Sequence, residues 1–259
     1  MIDKITIPKP LKLRDADVLS KSWCAIAEHM GTDYLVTEAI QVALPRRYRS
    51  PRLSILDDEH VVVLDCVANS TNDQNGSILE KNGKIVFDFH AGQGISDVAA
   101  TKRTIVVGYH DVGVMSDNKI SNEGLAVFDH SGRFLTGYRS STTERVDVMD
   151  CYCICNAGGE EIAFHSYPSL QLVKWVAMRK RHSFSEMPPI ACGSAMIAIH
   201  NSILYAYSPY RKKSSLFRIA DDALKLNLDF PSRPVALRDG RILLLDKHSA
   251  KILEPDRIA

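Results

Sequence analysis

The chain has 259 residues, 45% of them hydrophobic, and a formal net charge of +1. That apolar share supports a full core and excludes a disordered chain. The near-zero charge excludes a global pull toward nucleic acid or acidic lipid.

Short apolar runs of strand length recur along the whole chain, rich in Val, Ile, Leu, Phe and Tyr and split by polar turns. The first group of four reads Asp17–Ser20, Trp23–Glu28, Tyr34–Glu38 and Ile40–Leu44. The second reads Leu53–Leu56, Val61–Cys66, Ser77–Glu80 and Lys84–Phe89. The third, and clearest, is Ile95–Ala100, Thr104–Tyr109, Gly124–Asp129 and Arg133–Tyr138. The fourth starts at Val146 and continues through Glu161–His165, Leu170–Ala177 and a weaker His182–Ser185. The fifth is Ala195–His200, Ile203–Tyr207, Ser215–Ile219 and Leu224–Leu228. The sixth has only three runs, Val235–Arg238, Ile242–Asp246 and Lys251–Glu254, while a spare run, Lys4–Pro8, precedes the first group.

A deficit of one strand at the end and a surplus of one at the start is what a closed ring produces. Closure removes exposed sheet edges. The repeat is near the roughly 40–50 residues of propeller blades. The expected fold is therefore an all-β, six-bladed β-propeller of four-stranded antiparallel blades, a single domain over residues 1–259, closed by the N-terminal strand completing the last blade. A pair of β-sandwiches is the rival arrangement, and it leaves the matched deficit and surplus without a reason. Turn chemistry agrees with hairpins: Asn82-Gly83 and Ser131-Gly132 sit between third and fourth strands, and Asp239-Gly240 between the first and second strands of the last unit. Six prolines, Pro45, Pro51, Pro188, Pro189, Pro231 and Pro234, fall in the crossings between units, outside the expected strands.

The segment GQGISDV, followed by TIVVGYHDVGV and GLAVFDHSGRF, resembles a set of bacterial propeller-like proteins. These carry a G-x-G-I-x-D-I/V run, an I/V-x-V-x-Y-x-D-x-G-I/V run and a G-L-x-x-F-D-x-x-G run. The match spans Gly92 to Gly132, about a blade and a half. The resemblance implies the fold and a bacterial source, and no particular activity. A weaker likeness is to the NHL and SMP30-like propellers.

In a propeller the first strand of each blade lines the channel. The loops joining second to third strands share one face with the crossings between blades. Two such loops are long, Val67–Gly76 and His110–Glu123, and they belong to neighbouring blades. The crossing beside them carries Arg46, Arg47, Tyr48, Arg49 and Arg52, and a later loop carries Tyr210 with Arg211, Lys212 and Lys213. A third basic cluster, Arg179 to Arg181, falls on the opposite face. Arginine and tyrosine dominate binding energy at many protein interfaces. The expected contact surface is Arg46, Arg47, Tyr48, Arg49, Asn72, Asp73, His110, Asp111, Asp117, Asn118, Tyr210 and Arg211.

No nucleophile elbow, zinc-protease motif, P-loop or dinucleotide fingerprint is present. Cys151, Cys153 and Cys155 alternate along one run, which puts them on one strand face. Their spacing suits core thiols better than the C-x2–4-C pattern of structural zinc. Cys24, Cys66 and Cys192 are expected in the core as well. Channel carboxylates could in principle hold a divalent cation, as SMP30-like hydrolases do, and Asp17, Asp97, Asp147 and Asn201 are the candidates, with Asp111 near the mouth.

Two functions from different classes follow. The first is a non-catalytic protein-binding propeller, in its narrowest form a cytoplasmic immunity protein that neutralises a bacterial toxin domain. The second is a metal-dependent hydrolase or lactonase. The first is preferred, with no cofactor, no catalytic residue, no resident metal, no nucleic-acid or membrane partner, and a monomer apart from its protein partner. A cytoplasmic location is expected, because six cysteines do not form a secreted disulfide framework and no apolar signal region precedes the acids near Asp17.

Overall fold

The computed structural model describes residues 3–68, 73–142, 145–210, 215–219, 223–226 (backbone only) and 233–257. Six four-stranded antiparallel sheets follow one another as blades. Blade 1 is Lys12–Leu19, Ser22–His29, Thr32–Thr37 and Gln41–Ala43. Blade 2 is Pro51–Ile55, His60–Asp65, Gly76–Glu80 and Ile85–Phe89. Blade 3 is Ile95–Ala100, Thr104–Tyr109, Leu125–Asp129 and Phe134–Gly137, and blade 4 is Val148–Gly158, Glu161–Pro168, Gln171–Val176 and Arg181–Glu186. Blade 5 is Met196–His200, Ile203–Ser208, Ser215–Ile219 and Ala223–Leu226. Blade 6 is Arg233–Ala236, Ile242–Leu245 and Ser249–Leu253, with Lys4–Thr6 as its outer strand. No described helix is long and apolar enough to cross a membrane.

Strand alternation explains the stacking. Each blade sends one set of side chains toward the preceding blade and the other toward the following one. Six apolar clusters result, one in each gap between neighbouring blades. This is why Thr104–Tyr109 is buried at every position, although only alternate residues face the same neighbour.

The ring closes as expected. Lys4 pairs with Lys251, Ile5 with Ala250 and Thr6 with Ser249. The Ile7 amide donates to the His248 carbonyl at 2.9 Å. Ile5 and Ile7 are each 1% exposed, packed in the gap between blades 6 and 1. The tight turns between third and fourth strands hold Gly83 and Gly132 at φ of 90° and 79°, backbone that glycine adopts without a Cβ penalty.

Two expectations need correction, and a third lies partly outside the described residues. The first strand of blade 1 starts at Lys12, five residues before Asp17, because a bulge between Leu13 and Asp15 breaks the alternation that marks a strand. Pro51 and Pro234 lie inside first strands rather than in the crossings. Each is tolerated there because the channel side of a first strand has no strand partner, so no ladder bond is lost. The outer strand of blade 5 is described only over Ala223–Leu226, so the expected end at Leu228 lies outside the described residues.

Candidate functional site: the channel mouth and its loop face

The described parts of the two long loops are tied together by one histidine. His90, in the crossing from blade 2 to blade 3, donates from Nδ1 to the Asp73 carbonyl at 2.7 Å. Its Nε2 then accepts from Asn118 Nδ2 at 2.5 Å. Asp73 belongs to the first loop and Asn118 to the second. The Asn118 Oδ1 accepts the amides of Ile120 and Ser121 at 3.0 and 3.1 Å, so this buried side chain shapes the loop and does not face a partner. The second loop contains a helical turn, Asp111–Val114, and a 3-10 turn, Ser121–Glu123. Asn122 Nδ2 donates to the carbonyls of Val114 and Ser116, both at 2.7 Å, and ties these turns together.

The glycine-rich segment of the sequence is explained by close approach. The crossing at Gly92–Gly94 lies directly against the helical turn: the His110 amide donates to the Gly94 carbonyl at 2.7 Å, and the Gln93 amide to Ser121 Oγ at 2.7 Å. A Cβ on Gly113 would lie 2.1 Å from the Gln93 carbonyl oxygen, and one on Gly94 would lie 2.6 Å from the Gly113 nitrogen. The two glycines let backbone meet backbone.

The basic crossing is built differently from expectation. Tyr48 is 1% exposed and lies in the gap between blades 1 and 2. Its hydroxyl donates to Ser77 Oγ at 2.9 Å, and its amide donates to Asp33 Oδ2 at 2.7 Å. Tyr48 is therefore core and offers no side chain to a partner. The buried Asp33 also accepts from Arg14 at 3.0 Å, and Arg14 reaches on to the carbonyls of Tyr48 and Arg49. Arg46 stacks on the Tyr48 ring at 4.8 Å, donates to the Gln74 carbonyl at 2.8 Å and pairs with Asp88 at 3.4 Å. Arg49 donates to the Val67 carbonyl at 2.6 Å, and its amide bonds Asp65. Arg47 is exposed and makes no hydrogen bond or ion pair with the described residues. Asn72 and Arg211 lie outside the described residues.

At the centre, the first strands surround a cavity of about 480 Å³. Its wall carries Asp15 from blade 1, Arg52 from blade 2 and Ser96 and Asp97 from blade 3, followed by Tyr152 and Ile154, Met196, and Arg233 with Val235. An open groove of about 500 Å³, lined by Arg14, Arg52, Arg233 and Lys247, continues from it over blades 6, 1 and 2. Bulges interrupt the first strands of blades 1, 3 and 4 at the mouth, at Arg14, Ser96 and Tyr152. A bulge re-aims the side chains that follow it.

The carboxylates are committed to the ring itself. Asp15 Oδ2 accepts the Leu53 amide at 2.7 Å, while its Oδ1 pairs with Arg233. Asp97 Oδ1 and Oδ2 accept the amides of Val98 and Ile154 at 3.0 and 2.9 Å. Asp17, farther down the channel, accepts from Val18, Ser54 and Ile55. In each case an aspartate on one blade ties down the first strand of the next. Burial raises Asp97 above the usual carboxylate range and pushes Asp17 up to about 6, against the pull of these bonds. Asn201 lies in the turn between the first and second strands of blade 5, on the opposite face, bonded to Asp256 at 2.6 Å. Asp147 is exposed just before blade 4. Among the described residues no three His, Cys, Asp or Glu side chains gather as metal ligands.

The three cysteines of blade 4 do not share a face. The bulge at Tyr152 adds one residue between Cys151 and Cys153 and inverts the alternation. Cys151 faces blade 3, where a Cβ on Gly108 would meet its sulfur at 2.7 Å. Cys153 and Cys155 face blade 5, and the Cys153 thiol reaches the Ser194 carbonyl at 3.3 Å. Burial pushes the Cys24 and Cys155 thiols up to about 12. The buried thiols therefore stay protonated and unreactive.

The face that carries the long loops also gathers exposed apolar side chains. Of twelve exposed large hydrophobic residues among the described residues, seven lie there by their place in the topology: Met30, Val67, Val112, Met115, Met149, Tyr167 and Tyr210. Val112 is 70% exposed, Met115 64% and Tyr210 83%. Burial and, after it, the charges of Asp150, Tyr167, Tyr210 and Asp111 raise the Tyr152 phenol. His110 pairs with Asp150 at 3.1 Å. His110 and Asp111 stand over blade 3 and Tyr210 over blade 5, with Asp117 exposed on the blade 3 loop, while Arg46, Arg47 and Arg49 stand over blades 1 and 2. Sequence reasoning missed Val112, Met115, Tyr152, Tyr167, Asp15 and Arg233. Val112 and Met115 are the one pair with a readable signal, apolar residues inside a polar loop.

No protein-family model matches the chain, and no curated protein sequence matches it. Solved structures match at the level of fold. One is PorZ, a bacterial surface component of the type-IX secretion system of Porphyromonas gingivalis, at 12% identity over 95% of this chain and 34% of that one, TM-score 0.55. Another is the extracellular domain of a one-component system from B. thetaiotaomicron, at 9% identity over 93% of this chain and 32% of that one, TM-score 0.54. A third is KlHsv2 with loop 6CD replaced by a Gly-Ser linker, at 11% identity over 82% of this chain and 68% of that one, TM-score 0.50. The chain spans about a third of the length of the two bacterial structures. At such identities the likeness shows a propeller and nothing finer.

Proposed function

We propose that the protein is a binding platform that docks another protein on its long-loop face, without chemistry of its own. The observation behind this reading is the gathering of Val112, Met115, Met149, Tyr167 and Tyr210, exposed apolar side chains, beside loops held in place by His90 and Asn122. Exposed apolar groups rimmed by polar ones mark interaction surfaces, and preorganised loops lower the ordering cost of binding. Arg47, Arg49, Asp73, His110, Asp111 and Asp117 supply the polar rim. The hydrolase alternative finds less support, since Asp15 and Asp97 already accept backbone amides and an arginine.

The narrower form, a cytoplasmic immunity protein against a toxin domain, draws on no side chain of this face. Co-expression with a candidate toxin domain, scored by cell survival, tests it separately.

Capture of partners from the native host tests the platform itself. Val112→Asp combined with Tyr210→Asp changes only exposed side chains, and should reduce recovery of the partner more than tenfold with no change in melting temperature. Met178→Asp, exposed on the opposite face, should leave recovery intact. Loss with Met178→Asp and retention with the double variant would move the site to the other face.

A further inference from the structure

Arg52 stands in the channel wall without an ionic partner. Its Nη1 donates to its neighbour's carbonyl, Pro51, at 3.3 Å, and it forms no ion pair with the described residues. Asp15 and Asp97 are near enough to act on it through space, yet all four of their oxygens already accept other donors. Arg52 lines both the cavity and the open groove, and most of its N–H donors have no bond to a described residue. A partly buried guanidinium with most of its donors unbonded keeps hydrogen-bonding capacity for a ligand. A planar fork of donors fits one shape best, a carboxylate gripped by two parallel bonds.

Besides the polar Asp15, Ser96, Asp97, His110 and Arg233, the wall has an apolar side. Tyr152, Ile154, Met196 and Val235 come from blades 4, 5 and 6, across the channel from Arg52. The bulge at Tyr152 is what turns that ring to the mouth. A volume of about 480 Å³ falls within the range of small-molecule sites, which combine apolar walls with a few placed polar groups.

We propose that the channel cavity binds a small carboxylate with a compact apolar body, its carboxylate on Arg52 and its body against Tyr152, Ile154 and Met196. Partner docking on the loops is a separate matter, and a ligand in the channel neither requires nor excludes it.

Phenylacetate and isovalerate are suitable probes, with phenethylamine and sulfate as controls, titrated into the full-length protein by calorimetry. Saturable binding is expected for the two carboxylates and for neither control. Arg52→Gln should weaken it at least tenfold, while Arg47→Gln, outside the cavity, should not. A wild-type measurement guards against misfolding of the Arg52 variant: with methyl-labelled methionine, the Met196 resonance should shift on adding phenylacetate while those of Met30 and Met178 stay fixed. The proposal is overturned if neither carboxylate moves Met196. It is equally overturned if sulfate binds as tightly as phenylacetate, or if a folded Arg52→Gln binds as well as the wild type.

Discussion

Asp17 illustrates how burial and bonding oppose each other in this channel. It accepts three hydrogen bonds, yet burial prevails and its carboxyl is pushed from 3.8 up to about 6. An acid whose folded pKa is raised holds its proton more tightly when folded. Its contribution is complete below about pH 4 and is lost as pH rises to about 6. A shift of roughly two pKa units corresponds to about 3 kcal/mol. The stability difference between wild type and Asp17→Asn should therefore shrink by about that amount between pH 4 and pH 7. Urea unfolding across that range reads it, and a constant difference would mean that Asp17 titrates normally. Tyr48 gives a second expectation at this scale. Tyr48→Phe removes one bond to Ser77, which keeps Asp88 as an acceptor at 2.7 Å, and should cost about 1 kcal/mol. Tyr48→Ala empties a packed gap and should cost roughly 3–5 kcal/mol. Equal, negligible losses in thermal melts would place the ring at the surface. The sequence could not reveal this burial, because a tyrosine among three arginines reads as exposed, and only the distant Asp33 and Ser77 draw it inward.

Between residues and the ring stands the strand with its bulge. Regular alternation made most strands readable: in blade 3 the first two have the ends that the periodicity predicts, Ile95–Ala100 and Thr104–Tyr109. The bulges at Arg14, Ser96 and Tyr152 were not readable, since one inserted residue leaves no local signature in a run of mixed polarity. They account for the late start given to blade 1 and for the misplaced face of Cys151. They also shape the mouth, so the part of the protein that matters most for binding is the part where the two-residue period fails. The loop of blade 3 can be probed directly. Gly113→Ala would drive a methyl group into the Gln93 carbonyl, 2.1 Å away. The expected loss is about 1–3 kcal/mol, as for other overpacked sites. An unchanged urea midpoint would show that the crossing and the helical turn are not in firm contact.

The ring as a whole depends on its closure. The pairing of Lys4–Thr6 with blade 6 was legible because a count of strands, one short at the end and one spare at the start, needs no side-chain detail. Deleting residues 1–9 removes Ile5 and Ile7 from the gap between blades 6 and 1 and leaves Ser249–Leu253 without its outer partner. Burial of two such side chains contributes roughly 3–6 kcal/mol, a large share of a typical domain's stability. A truncated chain that melts with the full-length protein would refute closure as the source of that stability. A closed ring also explains why its loops can bind: blades packed through six apolar gaps hold the loop face rigid while its loops vary. The most direct measurement is site-specific photo-crosslinking in the native host, with the reactive residue at position 112 on the loop face or at position 178 on the opposite face. A discrete crosslinked protein from position 112 and none from position 178 is the predicted result. Crosslinks from position 178 alone, or from neither position, would contradict docking on the long-loop face.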